Sequence, residues 1–318
     1  MSNMSMTLSH IISKLCYNLS TALTTRLLQR RTRLTNLVMI ILKTLIAGGQ
    51  ICLKRFYATS PKFIEITQDN NTDIKIISMA RKPVNSLNVE LLSELKALLL
   101  EAQNSRNKGV ILTSSLPTVF SAGLDIMEMF TTDKEKLIDF WQAVQDTWLT
   151  VYSLTIPIAA AVNGSSPAGG CLLAMSTEYR VMVEGKHTIG LNETQLGIVA
   201  PKWFRDVYVS LIGYRQAELA LLRGTIFKPE KALQLGLVDE LAKDKMDAIE
   251  KCKNYILSYD NISGLGRTVT KIHLRNDLIE WLKKNKKADT DNFVNYIQSP
   301  KVQNGLKLYI EHLKQKKQ

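Results

Sequence analysis

The first 57 residues of this 318-residue chain contain no aspartate or glutamate, and the first acidic side chain is Glu65. Against that absence stand Lys14, Arg26, Arg30, Arg31, Arg33, Lys43, Lys54 and Arg55. These eight carry most of the formal charge of +12, leaving +4 for everything that follows. A body with so small an excess lacks the basic field that sequence-independent nucleic-acid binding needs, so no nucleic acid is expected as a partner. Cysteine and histidine are sparse too, four of each. Cys16, Cys52, Cys171 and Cys252 form no CxxC, and the histidines form no HExxH or HxH. Neither a disulfide framework nor a metal site is expected, and the compartment reads as reducing. Cys171 and His187 then read as packing residues.

An acid-free leader rich in Arg, Ser, Thr and Leu has the composition of a mitochondrial transit peptide, assigned here to residues 1–57. Leu23, Leu27, Leu28 and Leu34 interleave with arginines at near-helical spacing, as an amphipathic helix requires. Arg55-Phe56-Tyr57-Ala58 has the arginine placement of a presequence cut, so the mature chain is expected to start near Ala58, in the mitochondrial matrix. A membrane-spanning helix at 34–53 is the rival. Asn36, Lys43, Gln50 and the Gly48-Gly49 pair weigh against it, and no stable span is expected.

The body alternates strand and helix patterns. Residues 63–67 and 74–79 read as two strands around the turn cluster Asp69-Asn70-Asn71, hence a hairpin. Asn88 is a plausible N-cap for a helix with Leu91, Leu92, Leu95, Leu98 and Leu99 on one face. A buried strand follows at 109–113. A tight turn at 120–125 opens a helical stretch, and a long helix carries Phe140, Val144, Trp148 and Val151. Residues 156–162 form a strand entered through Pro157. A glycine-rich turn spans 163–170, and a helix is expected from Cys171. Further strands are expected at 180–183 and 188–189, the latter running into Asn192-Glu193. Beyond Ala217 the pattern is mainly helical, with Gly236-Leu237-Val238-Asp239 as a short stop. Such alternation indicates an α/β fold with crossover connections.

Each glycine-bearing turn alone is loop punctuation. Together and in order they resemble the enoyl-CoA hydratase/isomerase (crotonase) superfamily over roughly residues 62–318. The shared motifs are Phe120-Ser121-Ala122-Gly123-Leu124-Asp125, Asn163-Gly164 with Ala168-Gly169-Gly170-Cys171, and Gly236-Leu237-Val238-Asp239. Within it the Δ3,Δ2-enoyl-CoA isomerase branch is the nearest match. That rests on Pro83-Val84-Asn85-Ser86-Leu87, on Pro167 ahead of the second motif, and on Gly190-Leu191-Asn192-Glu193-Thr194-Gln195-Leu196-Gly197-Ile198 before Ala200-Pro201.

The resemblance implies a crotonase-like spiral of ββα units over 58–255 and a C-terminal helical oligomerisation region over 256–318. It also implies an acyl-CoA thioester substrate, coenzyme A belonging to the substrate, with no separate cofactor. The implied reaction moves a double bond from C3 to C2 through a dienolate, in β-oxidation of unsaturated fatty acids. Glu193 would be the single base, taking a proton from C2 and returning it at C4. The backbone N–H groups of Ala122 and Gly169 would hold the thioester oxyanion. Ser121, Gly123, Leu124, Asp125 and Asn192 would contact substrate. Read without the motif, Glu193 could instead cap the following turn, and Asn192 could merely stabilise one.

Leu172 is a departure. Hydratases of the superfamily carry a second glutamate there to activate water; leucine cannot, which favours isomerisation over hydration. The alternatives are a residual hydratase of the same fold and an RNA-binding member, for which Lys283, Lys284, Lys286 and Lys287 are the candidate cluster. The superfamily also implies a homotrimer, or paired trimers.

Overall fold

The computed structural model describes residues 62–315. The leader, the 34–53 segment, Cys16 and Cys52 lie outside the described residues. Among the described residues no helix is long and apolar enough to cross a membrane.

β1 (Ile64–Asp69) and β2 (Ile74–Met79) form the expected antiparallel hairpin, with Ile64 opposite Met79. α1 (Val89–Asn104) starts where Asn88 dictates. The Asn88 side chain accepts the Leu91 N–H at 3.1 Å, and the five leucines of the apolar stripe are all buried. β3 (Gly109–Ser114), α2 (Ile126–Met129), α3 (Lys134–Ser153) and β4 (Ile158–Val162) follow. Next come β5 (Ser166–Pro167), α4 (Gly169–Ser176), β6 (Tyr179–Val183) and β7 (Ile189–Gly190). A 3-10 turn covers Glu193–Leu196. The rest comprises α5 (Lys202–Ile212), α6 (Tyr214–Arg223), α7 (Pro229–Leu235), β8 (Glu240–Ala242), α8 (Lys245–Leu257), α9 (Gly264–Ile297) and α10 (Pro300–Gln315).

The main sheet runs β1-β2-β3-β4-β6-β8, with every pairing after the hairpin parallel. Its central strands are buried and largely apolar, β4 entirely so, because both faces are covered. Val110 and Leu112 join the larger core with α1 and α3, while Ile111, Ala159, Ala161 and Val181 meet Ala248, Ile249, Cys252 and Ile256 of α8. β5 and β7 pair as a separate two-stranded sheet, Pro167 opposite Gly190. That pairing joins the second glycine motif to the strand that leads into Glu193.

Three elements differ from expectation. α4 starts at Gly169, not Cys171, which leaves the Gly169 N–H at the helix's open end. α5 lies before the helical region foreseen from Ala217. β8 occupies residues where only helices were expected after the stop at 236–239. It is three residues long, too short to show alternation, and is held from outside. The Asp239 N–H donates to the Arg180 carbonyl at 2.9 Å, and the Asp239 carboxylate pairs with the Arg180 guanidinium at 2.7 Å.

α9 fastens the C-terminal helices to the core. Asp289 accepts hydrogen bonds from Trp141 Nε1 and Gln145 Nε2, both at 2.8 Å. Arg267, Lys271 and Arg275, four residues apart on one stripe, reach the chain ends of α3 and α4. Arg275 donates to the carbonyls of Tyr152 and Ser176 at 3.0 Å, and Lys271 donates to Leu154. These cations meet the negative, unsatisfied ends of two helices, and Glu178 pairs with both Arg267 and Lys271.

Candidate active site

Two glycine turns meet at the centre. Gly123 has φ of +92°, and a Cβ placed on it would lie 3.0 Å from the Gly169 nitrogen and 3.1 Å from the Pro167 carbonyl oxygen. A Cβ on Gly169 would lie 2.9 Å from the Leu124 nitrogen. Both positions need glycine for close backbone approach. Ala168, just before α4, adopts φ of +49°, a conformation costly for a residue with a Cβ. Its N–H donates to the Gly190 carbonyl at 2.8 Å, so the β5–β7 pairing holds it there.

The first turn is tied down by Asn85, whose side chain donates to Ser114 Oγ at 2.7 Å and to the Phe120 carbonyl at 3.0 Å. The buried Ser121 hydroxyl donates to the Asn85 carbonyl at 2.7 Å and accepts the Gly123 N–H at 3.1 Å. Asp125 accepts the Met127 N–H at 3.0 Å and pairs with Arg81 at 2.9 Å. Ser121 and Asp125 therefore frame the turn through bonds within the protein.

Which N–H groups remain free corrects one expectation. Ala122 is exposed, and its N–H donates to the Val84 carbonyl at 2.9 Å. That donor is committed to the fold and is not available to an oxyanion. Among the described residues the Leu124 N–H has no acceptor, and neither has the Gly169 N–H at the start of α4. The free donors of the two closely approaching turns are Leu124 and Gly169. Residue types could not reveal this, because all three residues carry the same backbone donor.

Glu193 opens the 3-10 turn directly after β7 and is 5% exposed. Neither carboxylate oxygen has a partner in another residue. Burial pushes the carboxyl up to about 7, opposed only by its own backbone N–H. The side chain takes no N–H from any later residue of the turn, so it does not cap it. Asn192 makes no capping bond either, and its Oδ1 is buried without a partner. The turn is held from behind by Gly197, whose N–H bonds the Glu193 carbonyl, and by Tyr296, whose hydroxyl donates to the Gly197 carbonyl at 2.9 Å.

Cys171 and Leu172 are fully buried in α4, whereas His187 is only half-buried. Lys283, Lys286 and Lys287 form ion pairs with Glu280, Asp146 and Asp291. Three of the four lysines proposed for RNA are thus engaged within the protein. Tyr208, Asn85 and Arg81 escaped the sequence reading of the site; only Asn85 carried a signal, as a turn-forming residue beside Pro83.

The sequence profile of the enoyl-CoA hydratase/isomerase family matches residues 69–318. The chain belongs to the enoyl-CoA hydratase/isomerase family. It is 41% identical over 260 residues to enoyl-CoA delta isomerase 1, mitochondrial, of Rattus norvegicus, covering 81% of this chain and 90% of that protein. The Homo sapiens protein of the same name is 37% identical over 273 residues, covering 85% and 89%. The crystal structure of human mitochondrial delta3-delta2-enoyl-CoA isomerase superposes with a TM-score of 0.78 at 37% identity, over 81% of this chain and 100% of that one. An enoyl-CoA hydratase from Bacillus halodurans, at 22% identity and a TM-score of 0.69, shares the fold. The crotonase fold and the resemblance to the isomerase branch are borne out, and with them an isomerase role within this family.

Proposed function

We propose that this family member moves the double bond of 3-enoyl-CoA to give trans-2-enoyl-CoA, with Glu193 as the only proton carrier. The observation that carries this is a buried carboxylate with both oxygens unpartnered and its pKa raised to about 7. Such a group is half ionised near neutrality, so it can take a proton from C2 and return it at C4. Negative charge develops meanwhile on the thioester oxygen. The Leu124 and Gly169 N–H groups would receive it, the second at a helix N-terminus where an anion is favoured. One such donor typically contributes about 2.7–4 kcal/mol to lowering the barrier. Asn192 and Gly123 would border the acyl group, and Leu172 would keep water away from the dienolate.

The relatives named mitochondrial support a mitochondrial location. We assign the matrix, with 1–57 as the transit peptide, 58–255 as the catalytic core and 256–318 as the helical assembly region. A homotrimer is supported by the exposed apolar side chains Ile262, Leu265 and Leu274, of which the last two are 77% and 81% exposed.

The test is appearance of the conjugated 2-enoyl thioester from trans-3-hexenoyl-CoA by ultraviolet absorbance. The wild-type protein should conjugate the substrate, and Glu193→Gln should bind acyl-CoA without conjugating it. Near-normal turnover by the variant would remove Glu193 from the chemistry.

A further inference from the structure

Tyr208 sits in α5 with no exposed surface; its oxygen faces the Leu191 N–H, yet among the described residues its hydroxyl proton finds no acceptor. Leaving a buried hydroxyl unpaired costs on the order of 1–3 kcal/mol, and buried tyrosines ordinarily find an acceptor. The unpartnered acceptors in this region are the two Glu193 oxygens and Asn192 Oδ1. Glu193 and the Cys171 thiol of α4 are the titratable groups within electrostatic reach of the Tyr208 oxygen. Of the four, Tyr208 brings a buried hydroxyl donor; Asn192 accepts at Oδ1 and donates at Nδ2, and a thiol donates weakly. Burial, together with the neighbouring Cys171 and Glu193, pushes the Tyr208 hydroxyl up, so it keeps its proton at every working pH. The protein thus holds a permanently protonated donor and an unpaired carboxylate in one water-poor region.

We propose that Tyr208 is a positioning residue for Glu193, its hydroxyl donating to the carboxylate through one buried water. A hydrogen bond to the ionised form favours that form and offsets part of the burial penalty. It also restricts the carboxylate to one orientation, which a shuttle between two carbons of one chain requires. The catalytic part of this inference rests on the isomerase reading. The hydrogen bond itself does not.

The test therefore has a readout independent of turnover. In protein labelled with 13C at glutamate carboxyls, the Glu193 resonance is identified by its absence in Glu193→Gln, then titrated in wild type and in Tyr208→Phe. Removing the donor should raise the Glu193 midpoint by about one pH unit. With trans-3-hexenoyl-CoA, the acid limb of kcat/KM should move up by the same amount. At neutral pH kcat should fall about tenfold while KM changes less than about twofold. An unchanged midpoint in a folded Tyr208→Phe protein would overturn the proposal. So would a lower melting temperature and higher KM with the acid limb unmoved, because that pattern belongs to packing alone. An inactive wild-type protein would overturn the isomerase reading, and the titration would still decide whether Tyr208 holds Glu193.

Discussion

A Cβ on Gly169 would stand 2.9 Å from the Leu124 nitrogen, so a single methyl group separates an open donor pair from a blocked one. Gly169→Ala should lose some stability, because the Leu124 backbone must shift to admit the methyl group. The methyl would crowd the Leu124 N–H. We expect kcat to fall by about 10²–10³, comparable to loss of an oxyanion donor. Steady-state kinetics beside a thermal melt checks this; a variant of normal activity would exclude the Leu124–Gly169 pair as the oxyanion site.

Glu193 also makes stability depend on pH. Its folded value of about 7 lies above the ordinary 4.5, so between these values the folded protein holds a proton that the unfolded chain has released. Stability is therefore full below about pH 4.5 and lost as pH rises through about 7, by about 3 kcal/mol for a shift of this size. Glu193→Gln lacks that loss. Its stability relative to wild type should rise between pH 5 and pH 8 in urea denaturation, and a constant difference would mean that the carboxylate is not buried as described.

Arg275 is set among carbonyl ends rather than carboxylates. It reaches Tyr152 and Ser176 at 3.0 Å and Thr177 at 3.2 Å, so its loss would leave three carbonyls without this partner. Arg275→Met should cost about 2–4 kcal/mol. Arg275→Lys should recover only part of it, since one ammonium cannot span the termini of α3 and α4 as a planar fork does. Urea midpoints of the two variants measure the difference.

Much of this was legible from residues. The leucine stripe of α1 and its Asn88 cap carry their own periodicity and chemistry, and the hairpin is announced by its turn cluster. β5 and β8 were illegible for one reason: with two or three residues each, they exist because distant segments pair with them. The family motifs led to Glu193 and to Gly169, whose N–H the fold leaves free among the described residues. They did not separate Ala122 from Leu124, because the distinction lies in which N–H the Val84 carbonyl already holds. Tyr208 was invisible for a related reason. A tyrosine on an apolar helix face looks like core until its hydroxyl proton is found without an acceptor within electrostatic reach of a carboxylate.

The most direct test of a single-glutamate shuttle follows the proton itself. Trans-3-hexenoyl-CoA carrying deuterium at both C2 positions is converted in ordinary water, and the product is analysed by mass spectrometry and NMR within the first turnover. If Glu193 carries the proton from C2 to C4 in a buried site, deuterium appears at C4 of the 2-enoyl-CoA. Product formed with no deuterium at C4, even in a single turnover, would contradict transfer by one shielded carboxylate and require a second proton donor.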